Sequence, residues 1–184
     1  MKTLALIAGC LLTGPAWAAA TGQIVSLDGT PVAGAQVCDF VEGTPEHCVT
    51  TDASGVYRME TPRRPTLVVR AKGFVATSVD AALLPAPVTL KPAAVLRVTV
   101  VDGASDLPLG SGRVMVNAPS GQRIGDFVPF NKAGVRISTL TPGPVLVRVE
   151  ADGYEPGGPV AVELVGGVER VVTVRMTKAG GTSR

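Results

Sequence analysis

After residue 20 the chain is a succession of short apolar-rich runs interrupted by Gly, Pro, Asp or Ser, and no segment sustains a period of 3.6. Gln23 to Leu27, Ala35 to Val41, Cys48 to Thr51, Val56 to Glu60, Thr66 to Ala71, Val75 to Val79 and Val88 to Leu90 therefore read as seven strands. Their Val and Thr content suits a pleated, half-buried surface. In Val95 to Val100, Leu96, Val98 and Val100 alternate with Arg97 and Thr99, which gives one inward and one outward face, and Val37/Asp39 is read as part of the same kind of alternation. Asp80 to Leu84 has room for one turn of helix and no more.

The second half repeats the order of the first. Asp28-Gly29 corresponds to Asp102-Gly103 at an offset of 74, and Pro31-Val32 and Val37 to Pro108-Leu109 and Val114 at 77. Gly55-Val56 corresponds to Gly134-Val135 at 79, and Gly73-Phe74 to Gly153-Tyr154 at 80. An offset that rises in one direction through loop insertions is the mark of a tandem duplication. The expected division is a signal peptide over 1–20, a first module over 21–92, a second over 93–177 and a flexible tail over 178–184. Lys91-Pro92-Ala93-Ala94 is too short a linker to hold the modules far apart. Two all-β modules of roughly 70 and 85 residues imply two tandem small β-sandwiches, each closing an apolar layer between two antiparallel sheets.

Composition refines this picture. The 22 glycines and 15 prolines exclude long helices, while 46% hydrophobic residues exclude a polar disordered chain. The formal net charge is +2, and loss of a leader carrying Lys2 lowers 17 basic residues to 16 against 15 acidic, so nothing points to nucleic acid. Lys2, the apolar run Thr3 to Thr13, and Ala16-Trp17-Ala18 or Ala18-Ala19-Ala20 form an export signal too short to be a transmembrane span. Ile7-Ala8-Gly9-Cys10 resembles a bacterial lipobox, which makes a lipid anchor at Cys10 the competing expectation to a soluble exported chain. Both place the protein outside the cytoplasm, in the periplasm, secreted, or held at a membrane.

If Cys10 leaves with the leader, Cys38 and Cys48 remain. They sit in extended segments on either side of Glu42-Gly43-Thr44-Pro45-Glu46, where a hairpin would bring the sulfurs together and an oxidising compartment would preserve the bond. The alternative is a pair of buried free thiols.

Four stretches carry a family resemblance: Gly22-Gln23-Ile24-Val25, Asp28 through Val37, Thr51-Asp52-Ala53-Ser54-Gly55-Val56-Tyr57, and Val69-Arg70-Ala71-Lys72-Gly73-Phe74. Residues 22–91 resemble the carboxypeptidase regulatory-like domain, a transthyretin-like or prealbumin-like β-sandwich with general Ig-like architecture. The second module resembles it more weakly, since Asn131-Lys132-Ala133-Gly134-Val135-Arg136 has Asn for Asp52 and Arg for Tyr57. The resemblance implies an accessory module whose fold carries no chemistry of its own. The transthyretin-like fold also hosts a purine-degradation hydrolase that depends on several histidines, an arginine and a C-terminal Tyr-Arg-Gly-Ser, and this sequence has neither those histidines nor that ending.

The residues give little support to catalysis. His47 is the single histidine and is expected as an exposed strand-end residue; with no second imidazole it completes no metal centre, and a disulfide-bonded Cys48 offers no thiolate. Asp28, Asp52, Asp102 and Asp106 could serve as paired acids or loop ligands for calcium, but the first three stand where Asp closes turns. Gly157-Gly158 and Gly166-Gly167 lack the lysine and helix of a phosphate loop. No enzyme, cofactor or metal is expected.

Binding rests on the aromatics Phe40, Tyr57, Phe74, Phe127, Phe130 and Tyr154, with Trp17 added only if it survives processing, and on the pair Arg63-Arg64. Phe74 and Tyr154 are expected in the core, whereas Phe127 and Phe130 are the candidate binding patch. The favoured function is a non-catalytic extracytoplasmic interaction or structural protein of the bacterial envelope or exterior. The alternative is a carbohydrate-binding accessory module built on coplanar aromatics or a polar groove.

Overall fold

A computed structural model describes residues 19–39, 47–60, 62, 64–80, 86–124 and 127–180. The leader with Cys10 and Trp17, the loop that contains Phe40, Arg63, the helical turn expected before Leu84, and the end of the tail lie outside the described residues.

The first half contains β1 (Ala20–Ser26), β2 (Gln36–Asp39), β3 (His47–Thr50), β4 (Val56–Met59), β5 (Thr66–Arg70), β6 (Thr77–Asp80) and β7 (Val88–Leu90). The second contains β8 (Ala94–Asp102), β9 (Ser111–Asn117), β10 (Val128–Asn131), β11 (Val135–Leu140), β12 (Gly143–Glu150), β13 (Gly157–Leu164) and β14 (Glu169–Met176). Sheets β4-β1-β7 and β3-β2-β5-β6 form the first sandwich, and β11-β8-β14 and β10-β9-β12-β13 form the second. Strand order is thus the same in both after a shift of seven. Pairing is antiparallel except for β1 with β7 and β8 with β14, which are parallel. The chain crosses from the four-stranded sheet before its last strand, and so enters the three-stranded sheet alongside its first.

Alternation places the cores. Leu96, Val98 and Val100 on β8 and Val145, Val147 and Val149 on β12 are buried, whereas Arg97 and Arg148 between them are exposed. Each fully buried Val or Leu contributes about 1.5–3 kcal/mol relative to exposure. The first sandwich has its own cluster, centred on Ile24, Val37, Tyr57, Met59, Leu67 and Leu90. Phe74 and Tyr154 pack half-buried against their respective clusters. Asp39, two residues after Val37, shares its inward parity and is fully buried.

Backbone hydrogen bonds reproduce the duplication. The Phe74 and Tyr154 N–H groups donate to Ala71 O and Ala151 O, and those of Ala93 and Ala179 donate to Gly73 O and Gly153 O. One landmark moves: the Ser26 N–H donates to Thr30 O as the Asp102 N–H donates to Leu107 O, so Asp102 stands where Ser26 does and not where Asp28 does. β8 is two residues longer than β1, which accounts for the displacement.

The turn before β4 is rebuilt before β11. Asp52 Oδ1 accepts from the Ser54 and Val56 N–H groups at 2.8 and 3.0 Å, and Asn131 Oδ1 accepts from the Ala133 N–H at 2.8 Å. Gly55 (φ 73°) and Gly134 (φ 79°) close these turns against the first strand of each sandwich. A Cβ on Gly55 would lie 2.5 Å from Ile24 O, and one on Gly134 would overlap Val98 O. Positive φ and close approach together select glycine.

The sandwiches meet through Ala93, which is 2% exposed. Its N–H donates to Gly73 O of the first sandwich at 2.8 Å, and its carbonyl accepts from the Gly167 N–H of the second at 2.9 Å.

Cys38 and Cys48 form a disulfide between directly opposed residues of β2 and β3. On the chain-entropy account, closing an interval of ten residues stabilises the fold by about 2–3 kcal/mol. The double change Cys38→Ser/Cys48→Ser should lower unfolding stability by that amount in a denaturant titration; unchanged stability would show that the crosslink restrains nothing. Gly134→Ala should cost more than about 2 kcal/mol in the same measurement, because the methyl meets both an unfavourable φ and a backbone carbonyl.

Candidate functional site

Phe127 and Phe130 fall on different sides of the second sandwich's outer layer. Phe130, on β10, is opposite Gly112 of β9, and its ring occupies the space that a side chain at 112 would fill. It is 5% exposed and belongs to the core. Phe127, just before β10, is 40% exposed, and the Arg113 and Arg123 guanidinium carbons stand 4.8 and 4.9 Å from its ring centroid. The two phenylalanines therefore do not form a coplanar platform. In their place is one exposed ring covered by cations, each contact contributing about 0.5–1 kcal/mol at such exposure. Arg113 also reaches Glu150 Oε2 through Nε at 2.7 Å, which fixes the guanidinium above the sheet. Phe127 was legible as a candidate; its arginines were not, because Arg113 arrives across a strand pair and Arg123 from the other end of the β9–β10 connection.

The carboxylates close turns. Asp28 accepts from the Ser26 hydroxyl and the Thr30 N–H, and Asp52 from the Ser54 hydroxyl and local N–H groups. Their pKa values are lowered chiefly by those hydroxyls, of Ser26 for Asp28 and Ser54 for Asp52.

Asp102 is the most constrained carboxylate. Tyr154 Oη donates to Oδ2 at 2.8 Å, while Oδ1 accepts from the Ala104 and Ser105 N–H groups and the Ser105 hydroxyl at 2.9–3.0 Å. Lys178 Nζ lies 3.8 Å from Oδ2. The Tyr154 hydroxyl first, then the Ser105 N–H and hydroxyl, hold the Asp102 pKa at about 2. The same bond raises the Tyr154 phenol. A cleft lined by Asp102, Gly103, Ala104, Arg175, Met176 and Lys178 lies beside this network. The hydrogen bonds of the carboxylate thus fix the β8–β9 turn to Tyr154, with Lys178 as an ion-pair partner beside them.

His47 begins β3 opposite Asp39 and is half-buried rather than exposed, because Asp39 takes the inward position beside it. The His47 Nδ1 to Asp39 Oδ2 distance is 3.6 Å, too long for a hydrogen bond. Tyr57 is 2% exposed, and burial raises its phenol pKa. Arg64 lines a shallow depression with Pro65, Thr66 and Val68. Among the described residues no group of three or more His, Cys, Asp or Glu side chains is placed to hold a metal ion. Among them, too, no helix is long and apolar enough to cross a membrane.

These features define a doubled β-sandwich in which Asp28, Asp52 and Asp102 serve its turns. Residues 19–94, which contain the first sandwich, match the family model of the carboxypeptidase regulatory-like domain. The second sandwich lies outside that match and is tied to the first by identical strand order and equivalent backbone bonds.

No curated protein matches the chain. Among solved structures it is similar to the Bacillus anthracis TIE protein, with 15% identity, 88% of this chain and 34% of that one covered, and a TM-score of 0.43. It is similar to a streptococcal ancillary pilin, with 16% identity, 89% and 62% coverage and a TM-score of 0.41. It is also similar to GBS52, the minor pilin of Streptococcus agalactiae, with 17% identity, 86% and 96% coverage and a TM-score of 0.40. The chain spans about a third of the Bacillus protein and 62% of the ancillary pilin.

Phe130→Ala should destabilise the protein by about 3–5 kcal/mol, and Phe127→Ala by less than about 1 kcal/mol, in parallel unfolding titrations. Equal losses would mean that Phe127 is also part of the core. Because the Asp102 pKa is depressed from 3.8 to about 2, its contribution is complete above the unfolded value and is lost as pH falls through that interval. Tyr154→Phe should move the Asp102 titration upward and flatten the stability change across it, as read by carboxyl-carbon NMR. A parent chain in which Asp102 titrates near 4 would contradict the network.

Proposed function

We propose that this is a non-catalytic extracytoplasmic interaction or structural protein of the bacterial envelope or exterior, and that the second sandwich supplies its docking face. The observation that carries the reading is Phe127, exposed and flanked by Arg113 and Arg123. Aromatic and arginine side chains are the types that concentrate binding energy at protein interfaces. A sugar-stacking platform is less well supported, since Phe130 is buried and guanidinium groups lie over the Phe127 ring.

The Cys38–Cys48 disulfide accords with an oxidising compartment, and the leader-like sequence over 1–20 with export. The division into modules 21–92 and 93–177 belongs to this proposal: the first contributes the crosslinked domain and the second the Phe127 face. Whether the mature chain is soluble or lipidated at Cys10 depends on processing, and the two products differ in mass.

Affinity capture from an exported-protein fraction, using the parent chain and Phe127→Ala side by side, tests the proposal together with the intact mass of the mature chain. A protein retained by the parent and lost with Phe127→Ala is the expected result. Identical retention by both would remove Phe127 from the docking face. A lipidated mass beginning at Cys10 would replace the soluble form with a membrane-anchored one.

A further inference from the structure

Where the sandwiches meet there is a cleft of about 350 Å³, lined by Ala71, Lys72 and Gly73 from the first and by Val95, Arg136, Ser138, Thr139 and Gly167 from the second, with Ala93 between them. We propose that this cleft binds a carboxylate-bearing saccharide. Its volume is at the lower end of the range used for small ligands, and a bare inorganic anion would fill a small part of it.

The lining has the chemistry for such a ligand. Lys72 is exposed and has no ion-pair partner among the described residues. Arg136 meets Glu169 through Nε at 3.1 Å, and Glu169 is shared with Arg97 at 2.7 Å, so two guanidinium groups share one carboxylate and Lys72 is the unpaired cation among the described lining residues. No acidic residue is among the described lining residues. Ser138 and Thr139 present hydroxyls that make no hydrogen bond among the described residues, and Ala71, Ala93 and Val95 supply an apolar wall for the C–H face of a sugar ring.

A feature peculiar to the second sandwich places those hydroxyls. β4 pairs with β1 in unbroken register from Met59 to Val56. In β11 the register against β8 shifts between Ile137 and Leu140, so three residues of β11 advance against two of β8. The bulge falls on Ser138 and Thr139, at an edge strand, where a bulge redirects side chains and interrupts the row of backbone donors and acceptors. An added peptide strand is disfavoured at such an edge, whereas a ligand held by side-chain hydroxyls and cations is not. Ala93 fixes the cleft by its backbone bonds to both sandwiches, so Lys72 and Arg136 face one space although they belong to different modules.

Tri-galacturonate titrated into the full chain by calorimetry is the direct probe, with neutral galactotriose, inorganic phosphate and tetra-glutamate as comparisons. Binding of tri-galacturonate alone, weakened by salt and reduced at least about tenfold by Lys72→Gln, is expected. The double change Ser138→Ala/Thr139→Ala should also weaken it, while Lys132→Gln, an exposed lysine outside the cleft, should not. No binding, equal binding of galactotriose, equal binding of tetra-glutamate, phosphate as an adventitious ion only, or an unchanged Lys72→Gln would each overturn the proposal. Phe127→Ala should leave saccharide binding intact, which separates this site from the protein-docking face.

Discussion

Each sandwich is organised around a backbone carbonyl on its first strand that must be approached by a turn with no side chain. Ile24 O and Val98 O occupy these positions, and Gly55 and Gly134 are the residues that reach them. Because β1 and β8 are the central strands of their three-stranded sheets, the turn determines how the next antiparallel partner registers on them. That register in turn sends Tyr57 and Met59, or Ile137 and Leu140, toward the apolar layer. The acid of the turn can change to an amide, as Asp52 and Asn131 show, since either side-chain oxygen accepts the local N–H groups. The glycine has no comparable substitute.

The two copies differ most where they meet something outside their own core. β11 has a bulge that β4 lacks, β8 is longer than β1, and only the first copy has a disulfide between its second and third strands. The disulfide crosslinks β3, an edge strand of four residues, to its neighbour. In the second copy the corresponding sheet has longer strands, with seven residues in β9 and eight each in β12 and β13, and a larger apolar cluster. β10, the counterpart of β3, is equally short at four residues, and it is held by Phe130, which is buried in that larger cluster.

Strand positions were legible because alternation and turn residues are local. Val88–Leu90 was placed to the residue, and the other first-module strands differ from expectation mainly at their ends. What alternation does not encode is which strand lies beside which, so the parallel pairing of β1 with β7 and β8 with β14 had no sequence signal. The Asp-Gly landmark at 102 misled for a related reason: the dipeptide marks a turn, not a position within it, and hydrogen bonds set Asp102 level with Ser26. Phe130 was read beside Phe127 because they are three residues apart, while its burial depends on Gly112 across the sheet. Asp39 shows the same limit, as its parity with Val37 was visible and its complete burial was not. The linker was read from Lys91 to Ala94, but the bonds that tie the sandwiches together there were not, because Ala93 makes them through its N–H and carbonyl.

The parallel pairs have a mechanical meaning. In each sandwich the first and last strands lie side by side and point the same way, so tension applied between its two ends would slide one strand along the other. Hydrogen bonds loaded in that direction share the force, instead of opening one after another. β8 and β14 are in register from Val95 to Asp102 against Glu169 to Met176, whereas β1 and β7 meet only at Ile24 to Ser26 against Val88 to Leu90. The second sandwich is therefore built as the stronger tensile link, and under load the first is where extension would begin.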